Sequence, residues 1–204
     1  TIVMYANEAL LRLFTRFLLC EKDLILEMRD GNTMYHLLKQ FAYSQYDIDN
    51  PPSEWNKPYI MDLGHERFDE DVIKVLSVYD YHGNKLPLND SERTDSVFTP
   101  QSLILQVPFT EHKHTLVVNY QARHAVIPSS GYKDVDIVLP KCLESALCAY
   151  ISSKVFMHMN TVESTAKGQE HMLTYNSLCQ DAVDMDLVST STSTTNSKFQ
   201  RRGF

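Results

Sequence analysis

Three histidines, His112, His114 and His124, are the residues whose type and spacing could best bind a metal ion. Residues two positions apart on a β-strand point to the same side, so the first two imidazoles could face one ion together. Glu111 or Asp95 could complete the set, since zinc is held by nitrogen and carboxylate ligands. This set predicts a metal-dependent hydrolytic enzyme. The first two histidines, however, lie in a predicted hairpin loop, where polar residues are expected without any metal, so this function is kept as the alternative.

An acidic cluster could also bind a divalent cation through carboxylate oxygens. It consists of His65, Glu66, Asp69, Glu70 and Asp71. The spaced Asp/Asn-Gly pattern of a calcium loop is missing, which favours a solvated acidic turn. The chain also has no phosphate-binding glycine loop, nucleophile elbow or HExxH motif, and only six glycines from which a loop could be built. We therefore expect a protein that is not an enzyme and has no catalytic residue, metal or cofactor.

The charge of the chain argues against tight binding to nucleic acid. Its 204 residues include 26 acidic and 19 Lys or Arg residues, giving a net charge of −7. Three of the cations, Lys198, Arg201 and Arg202, lie near the C-terminal end, so the rest of the chain is more acidic still. Affinity for the phosphate backbone comes from Lys and Arg, so we expect DNA to pass without specific binding. No cationic leader precedes an apolar stretch, so we expect neither a secretory signal nor membrane contact.

The cysteine pattern predicts free thiols. Cys20, Cys142, Cys148 and Cys179 lie in apolar helical contexts, without a CxxC pair or metal-ligand spacing. We therefore expect them to be buried as small hydrophobic residues in a reducing compartment.

Two helices in the C-terminal third are the elements expected to form the surface that contacts neighbouring subunits. The first is predicted from about residue 140 to 159, because Pro140 suits the first turn of a helix. Apolar residues surround it nearly completely, and such a helix is buried on several sides. The rest of the chain offers few helices to cover it, so neighbouring copies of the protein are the expected cover. The predicted interface residues are Leu143, Leu147, Tyr150, Ile151 and Phe156.

The second helix, predicted from about residue 163 to 187, has one apolar stripe and should pack on one side. The stripe consists of Met172, Tyr175, Leu178, Cys179, Ala182 and Met185. Core packing of a helical hairpin is the simplest interpretation of this pattern.

A polar tract follows, in which residues 189–197 are all Ser, Thr or Asn. Such a segment buries no apolar surface to offset its ordering entropy, which predicts a flexible C-terminal arm over residues 189–204. The arm ends in aromatic and cationic side chains that suit a partner surface: Phe199, Arg201, Arg202 and Phe204. The alternative, a frayed solvated tail, stays open.

The N-terminal two thirds of the chain predict one helix followed by β-structure. The helix is expected over residues 7–20, with Asn7 as its cap. Residues 24–28 and 33–38 flank Asp30-Gly31-Asn32, a turn sequence typical of a hairpin. Residues 72–81 predict a further strand, and residues 102–107 and 115–121 a second hairpin. The proline-rich residues 47–62 predict an exposed loop.

These elements predict an α+β fold in which an antiparallel β-sandwich or partial barrel is inserted between the helices. The predicted domains are a helical ring-forming domain (1–22 and 139–188), a β-rich insertion (23–138) and the C-terminal arm (189–204).

This order of elements resembles the head-to-tail adaptor proteins of short-tailed bacteriophages, the tail tubular protein A-like neck connectors. In that family a strand similar to "TLVVNYQA" precedes an IPxxxxxALxxYxxxRxF-type helix. The matching residues here are Leu139, Pro140, Ala146, Leu147, Tyr150, Lys154 and Phe156. The second helix matches at Ala166, Lys167 and Tyr175, and the end "NSKFQRRGF" is similar to the family's terminus. Lys154 stands where arginine is common in the family.

The resemblance implies a structural virion protein at the head–tail interface, assembled in the host cytoplasm. Copies of the chain would form a ring of about twelve subunits, joined by repeated contacts around a closed axis. The implied partners are the portal protein above the ring and a tail nozzle or tail tube protein below it. Genomic DNA would pass through the channel of the ring without specific binding, and the C-terminal arm would bind the portal.

Overall fold

A computed structural model describes residues 1–43, 58–62, 67–108, 114–132 and 135–190. Within these ranges the chain has three α-helices and two β-sheets, which is the predicted α+β class. The chain divides into two compact units. The helical unit comprises Thr1–Cys20 with Arg123–Phe204, and the β-rich unit comprises Glu21–Ala122. The segment from residue 123 to 138, which the sequence analysis placed in the β-rich insertion, therefore belongs to the helical unit.

The helical unit contains α1 (Ile2–Arg16), α2 (Lys141–His158) and α3 (Val162–Asp184), and α2 packs against both other helices. In α1, residues three and four positions apart are buried and form its packing face. These residues are Tyr5, Ala6, Ala9, Leu10, Leu13 and Phe14.

The predicted start of the first helix at Asn7 is wrong. Asn7 lies inside α1, where its side-chain amide donates to the Ile127 carbonyl oxygen (3.0 Å) and accepts from the Ile127 amide (2.8 Å). A distant backbone segment thus takes the hydrogen bonds that a cap would have made. Local capping preference is a weak signal when such a tertiary partner exists.

A tight turn joins α2 to α3 and makes them an antiparallel hairpin. Asn160 adopts a left-handed conformation (φ 53°), a region that asparagine tolerates better than most residues. Thr161 then caps α3 in a capping box with Ser164. The helices approach closely at Gly168, whose carbonyl oxygen accepts a hydrogen bond from Ser153 Oγ at 2.7 Å. A Cβ atom there would lie 2.8 Å from Met157 Cγ, so this crossing requires glycine.

The β-rich unit contains a six-stranded sheet in the order β3-β4-β1-β9-β5-β6 and a three-stranded sheet in the order β2-β8-β7. The strands are β1 (Glu21–Glu27), β2 (Met34–His36), β3 (Ala42–Tyr43), β4 (Ile60–Met61), β5 (Val72–Tyr79), β6 (Lys85–Leu86), β7 (Phe98–Gln101), β8 (Ile104–Gln106) and β9 (Thr115–Ala122). Among the named strands, all described pairings are antiparallel except that of β3 with β4, which is parallel. The larger sheet is therefore mixed.

Both predicted hairpins are wrong, although their strand segments exist. The turn after β1 forms, with Gly31 at φ 73°, but β1 pairs with β9 and β4, whereas β2 pairs with β8 in the other sheet. β8 and β9 likewise lie in different sheets. Long-range pairing overrides the local turn signal because each strand finds its apolar partners far along the chain: Leu24 lies opposite Val118. Within the predicted loop at 47–62, Ile60 and Met61 form β4.

No helix in the described part of the chain is long and apolar enough to cross a membrane.

Candidate assembly surface

The predicted interface on α2 divides into buried and partly exposed residues. Leu143 and Tyr150 have no exposed surface and Leu147 is 8% exposed, whereas Ile151 and Phe156 keep part of their surface in contact with solvent. The reason is that α1 and α3 both pack on α2 and cover most of its apolar sides. The first three residues therefore hold the helical unit together in this structure and offer little surface to another copy.

The polar residues of α2 meet α1 in a three-residue cluster. Glu8 Oε1 accepts hydrogen bonds from the Tyr150 hydroxyl at 2.6 Å and from Lys154 Nζ at 2.8 Å. The Arg12 guanidinium lies over the Tyr150 ring, 5.1 Å from its centroid. Tyr150 and Lys154 are two of the α2 residues that match the IPxxxxxALxxYxxxRxF-type pattern. Lys154, which stands where that pattern has arginine, forms an ion pair with Glu8. We call Glu8, Tyr150 and Lys154 the helical triad.

The contacts of the helical triad shift the pKa values of its members. Hydrogen bonds from Lys154 and then Tyr150 lower the pKa of Glu8. The bond to Glu8 raises the pKa of Lys154, whereas burial and then the bond to Glu8 raise the pKa of Tyr150. Near neutral pH the carboxylate is ionised and both donors keep their protons. The triad is therefore suited to clamp α1 to α2 and not to exchange protons.

The helical unit exposes large apolar side chains away from this clamp. Those on its helices and at the end of α3 are Ile2, Met4, Leu11, Met159, Val162, Leu173, Met185 and Leu187. Met185 is 69% exposed, so its predicted place in the packing stripe of the second helix is wrong. Met185 caps α3 as its first non-helical residue, where the helical period no longer decides which side faces the core.

A groove lies between α1 and α3 in the same unit, with a volume of about 430 Å³. We call it the arginine groove. Its lining residues are Leu11, Arg12, Thr15, Arg16, Tyr175 and Asn176. Burial, followed by the nearby Cys179, raises the pKa of Tyr175 to about 12. Sequence reasoning missed this groove because two helices far apart in the chain contribute to it.

The residues of the predicted metal site are only partly within the described ranges. His112 and Glu111 lie outside them. In the β-rich unit His114 and Asp95 line one hollow of about 450 Å³. The His114 ring is stacked on Tyr81 at 4.3 Å, and Asp95 pairs with Arg93 at 2.8 Å. The Arg93 hydrogen bonds lower the pKa of Asp95.

His124, the third predicted ligand, belongs to the helical unit, where its ring packs edge-on against Phe14 at 5.5 Å. Among the residues that the structure describes, no group of three His, Cys, Asp or Glu side chains is arranged to hold a metal ion.

The described part of the predicted acidic cluster forms ion pairs within the chain. Asp71 Oδ2 pairs with Lys22 Nζ at 2.8 Å, and Asp71 Oδ1 accepts a hydrogen bond from the Tyr120 hydroxyl at 3.1 Å. Asp69 pairs with Lys39 at 2.7 Å. We call Asp71, Lys22 and Tyr120 the sheet triad. Asp71 is buried, so the prediction of a solvated turn is wrong at this residue. His65 and Glu66 lie outside the described residues.

The residues predicted to form the portal-binding arm, Phe199, Arg201, Arg202 and Phe204, lie outside the described residues. The beginning of the predicted flexible tract, however, is held by the two residues that follow α1. The Leu18 amide donates to the Ser189 carbonyl oxygen at 2.8 Å, and Thr190 forms an antiparallel bridge with Phe17. An arm free to move would therefore begin after Thr190.

Of the four cysteines, only Cys179 is buried, and burial raises the pKa of its thiol. Cys148 is exposed on α2, so the prediction of burial is wrong there. The apolar context that predicted burial does not identify which side of α2 the other helices cover.

The sequence matches no protein-family model, and a search of curated proteins finds no match either.

Proposed function

We propose that this chain is a structural virion protein, an adaptor ring that joins the portal of a bacteriophage head to its tail. Copies of the chain would repeat around a closed axis, in about twelve subunits, and line part of the DNA channel. The partners are the portal protein, a tail nozzle or tail tube protein, and genomic DNA that passes without specific binding. The place of action is the head–tail interface of the virion, after assembly in the host cytoplasm.

The α2–α3 hairpin is the observation that carries this proposal. Its α2 bears the family-like residues, and two of them, Tyr150 and Lys154, converge on Glu8 of α1. The α2–α3 hairpin and α1, which packs on α2, form a unit whose remaining apolar surface is available to neighbours. Ile151 and Phe156 keep partly exposed surface on α2, and Leu173 is 70% exposed on α3. Exposed apolar surface of this kind supports contact with other copies.

The negative charge of the chain supports a channel that does not grip DNA. With 26 acidic against 19 basic residues, long-range repulsion should keep phosphate groups away from the wall. Binding of duplex DNA to the purified chain should therefore be undetectable at low salt. Tight binding that weakens steeply as salt rises would contradict this part of the proposal.

Attachment to the portal tests the proposal at the level of the particle. Portal-bearing heads that lack this protein should bind the full chain, and heads without a portal should not. A chain that ends at Thr190 should keep its melting temperature and lose attachment, because the residues assigned to portal contact are removed. Full attachment and infectious particles with the shortened chain would show that the arm is passive. Failure of the full chain to bind the heads would contradict the adaptor function itself.

A further inference from the structure

We propose that neighbouring copies join head to tail, with the acidic end of α3 of one copy seated in the arginine groove of the next. The acidic end consists of Asp181, Asp184, Met185, Asp186 and Leu187. This inference rests on the proposed function and names the surfaces that its ring contact uses. Both surfaces belong to the helical unit of a single chain and differ from each other, as a contact that repeats around a ring requires.

The acidic end has no basic residue in the last turn of α3 to offset its negative charge. The C-terminus of a helix carries partial negative charge, which favours nearby cations and disfavours carboxylates. Asp181 and Asp184 nevertheless lie close to the end of α3. Asp184 Oδ1 accepts a hydrogen bond from the neutral Gln180 side chain at 2.9 Å. A cationic surface of another copy would therefore give these carboxylates a favourable partner.

Exposed apolar side chains accompany these carboxylates. Met185 is 69% exposed and Leu187 is 55% exposed, on either side of Asp186. Asp186 itself adopts a left-handed conformation (φ 54°), so the chain turns sharply at this point. The segment combines apolar contact area with negative charge, which is the composition expected of a partner for an apolar, basic groove.

The arginine groove has the complementary composition. Leu11 is 49% exposed on its rim, and Arg12 and Arg16 supply two positive charges. The guanidinium groups lie over the rings of Tyr150 and Phe17, at 5.1 and 5.4 Å from their centroids. Within the described part of the chain neither arginine forms an ion pair. Each can therefore offer its forked donors to a carboxylate of another copy.

The test exchanges the charges of the two surfaces in the full chain and measures association by sedimentation. The acidic-end variant Asp181→Lys with Asp184→Lys should associate at least about tenfold more weakly than the unmodified chain. Its melting temperature should be unchanged or higher, because lysine suits a helix C-terminus. Weaker association without a lower melting temperature would show that the variant has lost the contact between copies and has kept its fold.

The groove variant Arg12→Glu with Arg16→Glu should also lose association. Mixing it with the acidic-end variant should restore complexes between unlike chains, because each altered surface then meets its complement. Glu163→Lys with Glu170→Lys is the matched control, since it makes the same charge change on exposed residues elsewhere on α3. That control should associate like the unmodified chain.

Association of the acidic-end variant at full strength would overturn this inference and leave the adaptor function intact. This inference would also be overturned, with the adaptor function left intact, if removal of residues 191–204 abolishes association while the charge variants still associate. The arm would then be the segment that connects the copies. A full chain that stays monomeric at every concentration, both alone and with portal protein, would overturn both this inference and the ring.

Discussion

Each unit of the chain contains a carboxylate that accepts hydrogen bonds from a tyrosine and a lysine, but the two triads differ in their exposure to solvent. In the sheet triad the Lys22 and Asp71 side chains are 18% and 9% exposed. In the helical triad Lys154 and Glu8 are 28% and 38% exposed.

The comparison shows how burial changes the contribution of the same three groups to the free energy of unfolding. The sheet triad joins Lys22 of β1 and Tyr120 of β9, which lie opposite each other, to Asp71 at the start of β5. Removal of its carboxylate would take an acceptor from a lysine and a tyrosine that are both largely covered by the fold. At the helical triad, water can replace a lost partner and screens the ion pair. The β-rich unit is therefore expected to depend more on its triad than the helical unit does.

Replacement of Asp71 by alanine should have the largest effect. We expect a loss of about 2 to 3 kcal/mol in the free energy of unfolding, because Lys22 and Tyr120 each lose a hydrogen bond to a buried carboxylate. Urea denaturation measures this loss. Asp69→Ala removes the exposed ion pair to Lys39 and serves as the control, with an expected change below about 1 kcal/mol. Equal effects of the two changes would contradict the importance of burial.

Replacement of Glu8 by alanine should cost less, about 1 kcal/mol, since the helical triad is partly solvated. Tyr150→Phe, which keeps the ring and removes only the hydroxyl, should cost about 1 kcal/mol as well. The double variant tests whether the two residues act together, because its cost should be smaller than the sum of the single costs. Additive costs would show that the hydroxyl and the carboxylate contribute independently.

The helical triad should also give stability a dependence on acid. The pKa of Glu8 is lowered in the folded chain. Its contribution is therefore present above the unfolded pKa of about 4.3, and is lost as pH falls through the lower folded value. The difference in unfolding free energy between the unmodified chain and Glu8→Gln should be constant from about pH 5 to 7 and shrink below about pH 4. A difference that grows on acidification would contradict this assignment.

Addition of zinc should have the smallest effect. It tests whether the β-rich unit contains a metal-dependent active site. We expect no bound zinc in the purified chain and no change in melting temperature on its addition. His114→Ala should then behave like the unmodified chain in the same assay. Stoichiometric binding of zinc that is lost in the His114→Ala variant would support the metal-dependent alternative. The functional site would then lie in the β-rich unit and not in the helical unit.

The helices of the hairpin could be predicted closely, and the strand pairing could not. The α2 helix was expected over residues 140–159 and spans Lys141–His158, because Pro140 and the apolar spacing are local signals. The pairing of Leu24 with Val118 depends on a contact between distant parts of the chain that no local pattern specifies. The turn at Gly31 formed as predicted and still did not join its neighbouring strands to each other.

The candidate site was predicted only in part for the same reason. Spacing placed Tyr150 and Phe156 on α2 correctly but could not show that α1 covers Tyr150 and leaves Phe156 partly exposed. Glu8 gave no signal, since a single carboxylate in an amphipathic helix has no pattern that identifies its partner. The arginine groove depends on α1 and α3 both packing on α2, which only the tertiary fold provides.

The central claim, that copies of this chain assemble into an adaptor ring, is tested most directly by the mass of the purified particle with and without portal protein. The account predicts a discrete closed oligomer, of about twelve copies when the portal is present, whose mass does not rise with further increase in concentration. A chain that remains monomeric, alone and in the presence of the portal, would contradict it.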